Sequence, residues 1–303
     1  MTRAFFIFLS RQRTLRRWFE TSQIANKLTK RFVAGYSLDD EIAVCRRLYH
    51  ERILATIDRL GENVTSLDEA SQSRDAYLDV LERTRQSGLP ATVSIKLTQF
   101  GLDFSTDACF DNVRRLVCRA KDMGTAIEID MESSEYVDRT LDIVCRLHKE
   151  IGNVRAVVQS YLRRTRDDVI RLCDLSIPVR LVKGAYDEPH SVAFAAKSEV
   201  DASYAELTRL LLDRGPDPAI ATHDEALIDL TLRHANEHGI GPDRFEFQML
   251  YGIRRDLQSR LVAQGYRMRL YVPYGDAWYP YFMRRLAERP ANVFFLMRNL
   301  LRK

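Results

Sequence analysis

Four ionisable residues fall near the ends of short β-rich runs: Lys96 after VSI, Asp130 after AIEI, and Arg180 and Lys183 inside VRLVKGA. Gathered around one cleft, three cations and one carboxylate must neutralise each other or hold an anion, because an unpaired charge taken out of water is strongly penalised. Gln159, Thr222, His223, Gln248 and Tyr271 occupy similar positions in other runs. Gly184 and Ala185 directly follow Lys183, where small residues let backbone N–H groups approach a pyrophosphate. Farther along, Arg284 and Arg285 follow Tyr279, Tyr281 and Phe282, and Glu288 stands one helical turn after Arg284. Adjacent arginines on a partly aromatic helix suit a bidentate grip on a small carboxylate. The competing reading of the barrel charges is a structural ion network.

Those residues need a scaffold, and the hydrophobic pattern supplies one. Eight runs have strand character: ILATI at 53, VSIKL at 93, AIEIDM at 126, VRAVVQ at 154, VRLVKGA at 179, AIATH at 219, FEFQML at 245 and RMRLYVP at 267. Amphipathic stretches such as Cys109 to Met123 and Glu135 to Glu150 separate them as helices. Strands alternating with helices predict parallel βα units, and eight of them predict a (β/α)8 barrel of the α/β class. Polar residues inside the runs set them apart from the uniform Val/Ile/Leu strands of an open parallel sheet. In such a barrel the strand C-termini carry the site. Residues 1–50 read as an N-terminal helical extension, and residues 51–303 as the barrel and its final helix.

Composition narrows the class further. With 46% apolar and 29% charged residues, the 303-residue chain reads as globular rather than disordered or fibrous. The net charge of +4 is too small to imply a nucleic-acid partner. Basic residues do cluster at both ends, among them Arg11, Arg13, Arg16 and Arg17 at the front and Arg298, Arg302 and Lys303 at the back. They form a solvated face or meet an anionic membrane surface. AFFIFL, at positions 4–9, is too short to span a bilayer, and no small-residue cleavage pattern follows it. An Arg-rich start would also fit a mitochondrial leader, a reading that Glu20 weakens.

The five cysteines are scattered, with no CxxC pair, so neither a disulfide framework nor a zinc site is indicated, and a reducing cytoplasm is the expected setting. His234 and His238 have helical spacing but no third ligand at suitable sequence spacing, so they read as a solvated helix end beside Gly239, with no metal expected. No GxSxG elbow or Ser/His/Asp set points to hydrolysis.

Taken in order, SIKLTQFG at 94, IDME at 129, VVQSYLRRT at 157, VRLVKGAY at 179, ATHD at 221, FEFQMLYG at 245, YVPYG at 271 and RRLAERPAN at 284 resemble the proline dehydrogenases. The chain is equally similar to the proline dehydrogenase domain of the bifunctional proline utilisation proteins. The resemblance covers roughly residues 50 to 295. It implies a (β/α)8 barrel that binds FAD and oxidises L-proline to pyrroline-5-carboxylate, with hydride transfer from C5 to the flavin N5 and a membrane quinone as electron acceptor.

Carried over residue by residue, it assigns Arg284 and Arg285 to the proline carboxylate with Lys96 as a third cation. Tyr271, Tyr281 and Leu250 would pack over the proline ring. Arg180 would lie near the flavin N5, and Asp130 would be the acidic partner of the substrate-site charges. Met131, Gln159, Lys183, Gly184, Ala185, Thr222 and His223 would hold FAD. Tyr271 would exclude hydroxyproline. Asp187 departs from the aromatic or aliphatic residue common in relatives after VKGAY.

The resemblance further implies a cytoplasmic protein peripheral on a bacterial inner membrane, with the mitochondrial matrix as the alternative and homo-oligomerisation open. Two rival readings remain: an aldolase-like barrel in which Lys183 or Lys96 forms a Schiff base, and a membrane-surface scaffold that uses the basic termini.

Overall fold

A computed structural model describes residues 31–61, 64–279 and 281. Its core is a closed barrel of eight parallel strands in sequential order. They are β1 (Leu54–Arg59), β2 (Thr92–Ile95), β3 (Ile127–Ile129), β4 (Val154–Gln159), β5 (Val179–Val182), β6 (Ala219–Ala221), β7 (Glu246–Leu250) and β8 (Arg267–Tyr274). The barrel closes where β1 pairs with β8, from Leu54 opposite Arg269 to Arg59 opposite Tyr274. All eight sequence runs are therefore strands, but the first extends past Ile57 and brings Asp58 into the barrel.

Seven helices link the strands: α2 (Leu67–Gln86), α3 (Thr106–Asp122), α4 (Val137–Glu150), α5 (Thr165–Asp174), α6 (Lys197–Arg214), α7 (Glu225–Glu237) and α8 (Arg255–Ala263). Ser66 and Ser105 cap α2 and α3 by accepting from Glu69 N and Ala108 N, so backbone donors left over at each helix start find partners. Among the described residues one helix precedes the barrel, α1 (Leu38–His50), which starts in a capping box between Ser37 and Asp40. Leu38, Ile42, Cys45 and Leu48 of α1 are buried in the same apolar core as the strands, so the described part of the extension is packed as barrel wall.

Strand alternation turns a second set of side chains inward, and several are charged. Glu128 on β3 accepts from Thr56 at 3.2 Å, from Thr92 at 2.7 Å and from Arg180. Arg155 lies 3.9 Å from Glu128 and 2.5 Å from Glu246, and Glu246 also accepts from Arg269 Nε at 2.9 Å. Below them Arg155 reaches Asp217 at 2.5 Å. Burial pushes the Glu246 carboxyl up, yet Arg269 and Arg155 outweigh it and hold the group well below the usual carboxylate range. The barrel axis is thus a column of alternating charge running from floor to mouth.

Among the described residues no helix is long and apolar enough to cross a membrane. The basic clusters read from the two ends lie outside the described residues, apart from Arg31.

Candidate active site

Asp130 sits one residue beyond β3, Lys96 one residue beyond β2, Arg180 inside β5 and Tyr271 inside β8. Period-two alternation puts Glu128 and Asp130 on one face of the chain, so both reach Arg180 from the same side. Arg180 Nη1 donates to Asp130 Oδ1 at 2.8 Å, and its Nη2 donates to Glu128. Ser94 Oγ fills the second place on Oδ1 at 2.8 Å. The other oxygen, Oδ2, accepts from the Tyr271 hydroxyl at 2.8 Å and from Lys96 Nζ at 3.3 Å. Lys96 also lies 3.3 Å from the Tyr271 oxygen and 3.6 Å from Asp58 Oδ1.

Burial shapes this cluster. It pushes the Arg180 guanidinium down to about 10, with Tyr271 and Glu246 opposing the drop. It pushes the Tyr271 phenol well up, and the nearby Asp130 carboxylate adds to the rise. Arg180 Cζ stands 5.5 Å over the Tyr271 ring, a cation–π contact in a desolvated place.

The sequence reading of three cations against one carboxylate is corrected here. Lys183 is not in the cluster: β5 turns Arg180 inward, and Lys183, three positions on, faces the helices, where its Nζ meets Asp201 at 2.6 Å and Asp224 at 2.9 Å. Burial raises both carboxyls, but hydrogen bonds from Lys183 outweigh it and leave each below its ordinary value. Inside the mouth, Lys96 and Arg180 face three carboxylates, Asp58, Asp130 and Glu128. Spatial grouping is thus right for Lys96, Asp130, Arg180 and Tyr271, and Asp58 and Glu128 were missed. The two-residue period from Asp130 could have found Glu128. Asp58 was hidden because the first run was ended at Ile57.

Other expected positions also converge on the mouth. Gln159, at the last position of β4, donates to the carbonyls of Met131 and Glu132 at 3.0 and 2.8 Å, and its buried Oε1 lacks a partner among the described residues. Leu250 N donates to His223 Nε2 at 2.9 Å, which ties the end of β7 to the turn after β6. Thr222 Oγ1 accepts from Asp224 N at 3.1 Å, and Asp224 caps α7. Gly184 has φ of +112°, and a Cβ there would lie 2.1 Å from the Tyr161 ring, so only glycine fits. Ala185 is exposed and Leu250 half-buried, whereas Tyr281 is buried. Arg284, Arg285 and Glu288 lie outside the described residues.

His234 and His238 correct a second reading. His234 is buried rather than solvated, and Asp213, distant in sequence on α6, brings a third ligand-type group to the pair.

Fold and site together define a (β/α)8 enzyme whose strand ends enclose a buried ionic cluster. The proline dehydrogenase family model matches residues 42–298. The chain is 40% identical over its full length, and over the full length of the relative, to Proline dehydrogenase 2 of Bacillus subtilis. It is 42% identical to Proline dehydrogenase of Deinococcus radiodurans, across 91% of this chain and 90% of that one. Among solved structures, proline utilization A from Bdellovibrio bacteriovorus, inactivated by N-propargylglycine, superposes with a TM-score of 0.82 and 27% identity. That match covers 87% of this chain and 33% of the longer one, so the chain spans about a third of that protein. The chain belongs to the proline dehydrogenase family.

Proposed function

We propose that the chain oxidises L-proline to 1-pyrroline-5-carboxylate using FAD and delivers the electrons to a quinone. One observation carries the reading within the family: the one carboxylate of Asp130 accepts from Arg180, Lys96, Ser94 and Tyr271 together, and so sets the shape of the mouth. FAD, when bound, supplies the hydride acceptor. The donor set suits it. The buried unpartnered Oε1 of Gln159 can accept from a ring N–H, and the Lys183–Gly184–Ala185 turn suits a pyrophosphate.

The chain's own groups bind and orient. Lys96 and Arg180 are already outnumbered by Asp58, Asp130 and Glu128, so they leave no surplus charge for a substrate carboxylate. The net charge that grips proline therefore falls to Arg284 and Arg285, with the already neutralised Lys96 ammonium standing at the edge. Tyr271 presents its ring to the substrate ring, and Tyr281 and Leu250 close around it. Holding the substrate in one pose provides much of the catalysis.

Asp130 is a positioning residue in this scheme. All four lone-pair directions of its carboxylate are taken by donors, so the proline nitrogen loses its proton to water. A Schiff-base role for Lys96 or Lys183 is disfavoured, because each is held by carboxylates rather than isolated among apolar groups.

Anaerobic addition of L-proline to the yellow protein should bleach its visible bands, and cofactor released by heat should have the mass of FAD. N-propargylglycine should inactivate it. A colourless protein with a borohydride-trappable adduct would support the aldolase instead. A soluble quinone analogue should support turnover, and equal turnover with NAD would overturn the acceptor; no GxGxxG follows a strand. Peripheral binding to an anionic membrane through the basic termini, in a bacterial cytoplasm, completes the proposal.

A further inference from the structure

The site at the mouth leaves a second constellation unused. Asp213 lies in the last turn of α6, His234 in the last turn of α7, and His238 caps α7. One carboxylate oxygen and one ring nitrogen from each histidine all lie within 4.8 Å of one another. His234 Nε2 is 2.7 Å from Asp213 Oδ1. The two rings stack with centroids 4.0 Å apart and planes 27° from parallel. His238 Nδ1 is 2.9 Å from the main-chain oxygen of His234. A carbonyl can only accept, so Nδ1 carries the proton and Nε2 keeps the lone pair that a metal takes. This is the outer bond that commonly fixes a ligating imidazole.

We infer that Asp213, His234 and His238 form a binding site for a late first-row divalent cation such as Zn2+, tying α6 to α7. Two imidazoles and a carboxylate are a ligand set such ions prefer, with water filling the remaining positions. The surroundings add attraction. In a β/α barrel the helices run opposite to the strands, so the C-terminal, negative ends of α6 and α7 meet at this point. The same geometry puts the site on the barrel floor, at the far end from Asp130 and Lys96. The cation braces the fold and takes no part in the oxidation.

Chelator-treated flavoprotein should bind one equivalent of zinc chloride by calorimetry in the presence of a phosphine reductant. The melting temperature should rise by roughly 3 to 6 °C at a hundredfold excess over the dissociation constant. Mg2+ should leave it unchanged. His238→Ala and Asp213→Asn alter exposed side chains and should each weaken zinc binding by about tenfold or more, abolish the thermal shift and preserve proline turnover. Absence of zinc binding in the parent protein overturns the inference. So does binding of equal strength in His238→Ala, which would direct the ion to the cysteines, or an equal shift with Mg2+, which would reduce the site to bare carboxylate attraction.

Discussion

Arg180 and Asp130 meet side by side at 2.8 Å at the mouth of the barrel, with the arginine almost completely buried. A fixed cation in a dry site stabilises negative charge that develops next to it. Arg180→Met should therefore lower the flavin midpoint potential by on the order of 30 mV, about 1.4 kcal/mol for a two-electron couple. Potentiometric titration checks this, and an unchanged midpoint would make Arg180 purely structural.

The charge balance of the mouth predicts where the substrate carboxylate goes. Removing one cation from a desolvated pair costs about 2 to 5 kcal/mol. Arg285→Met should raise the KM for proline by roughly 30-fold or more, and weaken inhibition by tetrahydrofuran-2-carboxylate in parallel. Flavin occupancy should stay full. Wild-type affinity in both Arg284→Met and Arg285→Met would shift the grip to Lys96.

Gly184 is the most constrained backbone position in the proposed cofactor turn. A methyl group there would need φ of +112° and would drive into the Tyr161 ring. Gly184→Ala should cost about 1 to 3 kcal/mol of local stability and reduce the flavin-to-protein ratio measured by absorbance. Retention of full flavin at low added FAD would show that the turn does not hold the cofactor.

Glu41 on α1 gives a pH test with a definite sign. Burial pushes its carboxyl well above the ordinary value, Cys45 donates to Oε1 at 3.3 Å, and Oε2 is unpartnered among the described residues. Between the unfolded value of about 4.3 and the raised folded one, the native state binds more protons, so stability falls as pH rises. Glu41→Gln stays neutral and should gain on the parent between pH 5 and pH 8 in urea unfolding. A difference that does not move with pH would mean that Glu41 titrates normally.

The strands were legible because their apolar periodicity is local and strong, and Lys96, Asp130, Arg180 and Tyr271 were legible because strand ends predict convergence. Lys183 was misplaced for lack of a face: whether a residue past the end of β5 turns inward depends on where β5 stops. Asp58 lies one residue past the apolar run that marks β1, and the Asp213 partner of His234 depends on a contact between two elements far apart in sequence. No spacing rule reports that contact.

The column of charge along the barrel axis also limits how this sequence can drift. Arg155 is shared by Glu128, Glu246 and Asp217, and Arg180 shares Glu128 with it. Losing any one member strands its neighbours in a dry interior, so single neutral substitutions there are disfavoured. Descendants should change these positions in compensating pairs or keep them together. A designer who wants an apolar axis must replace the set at once, from Asp217 at the floor to Arg180 at the mouth.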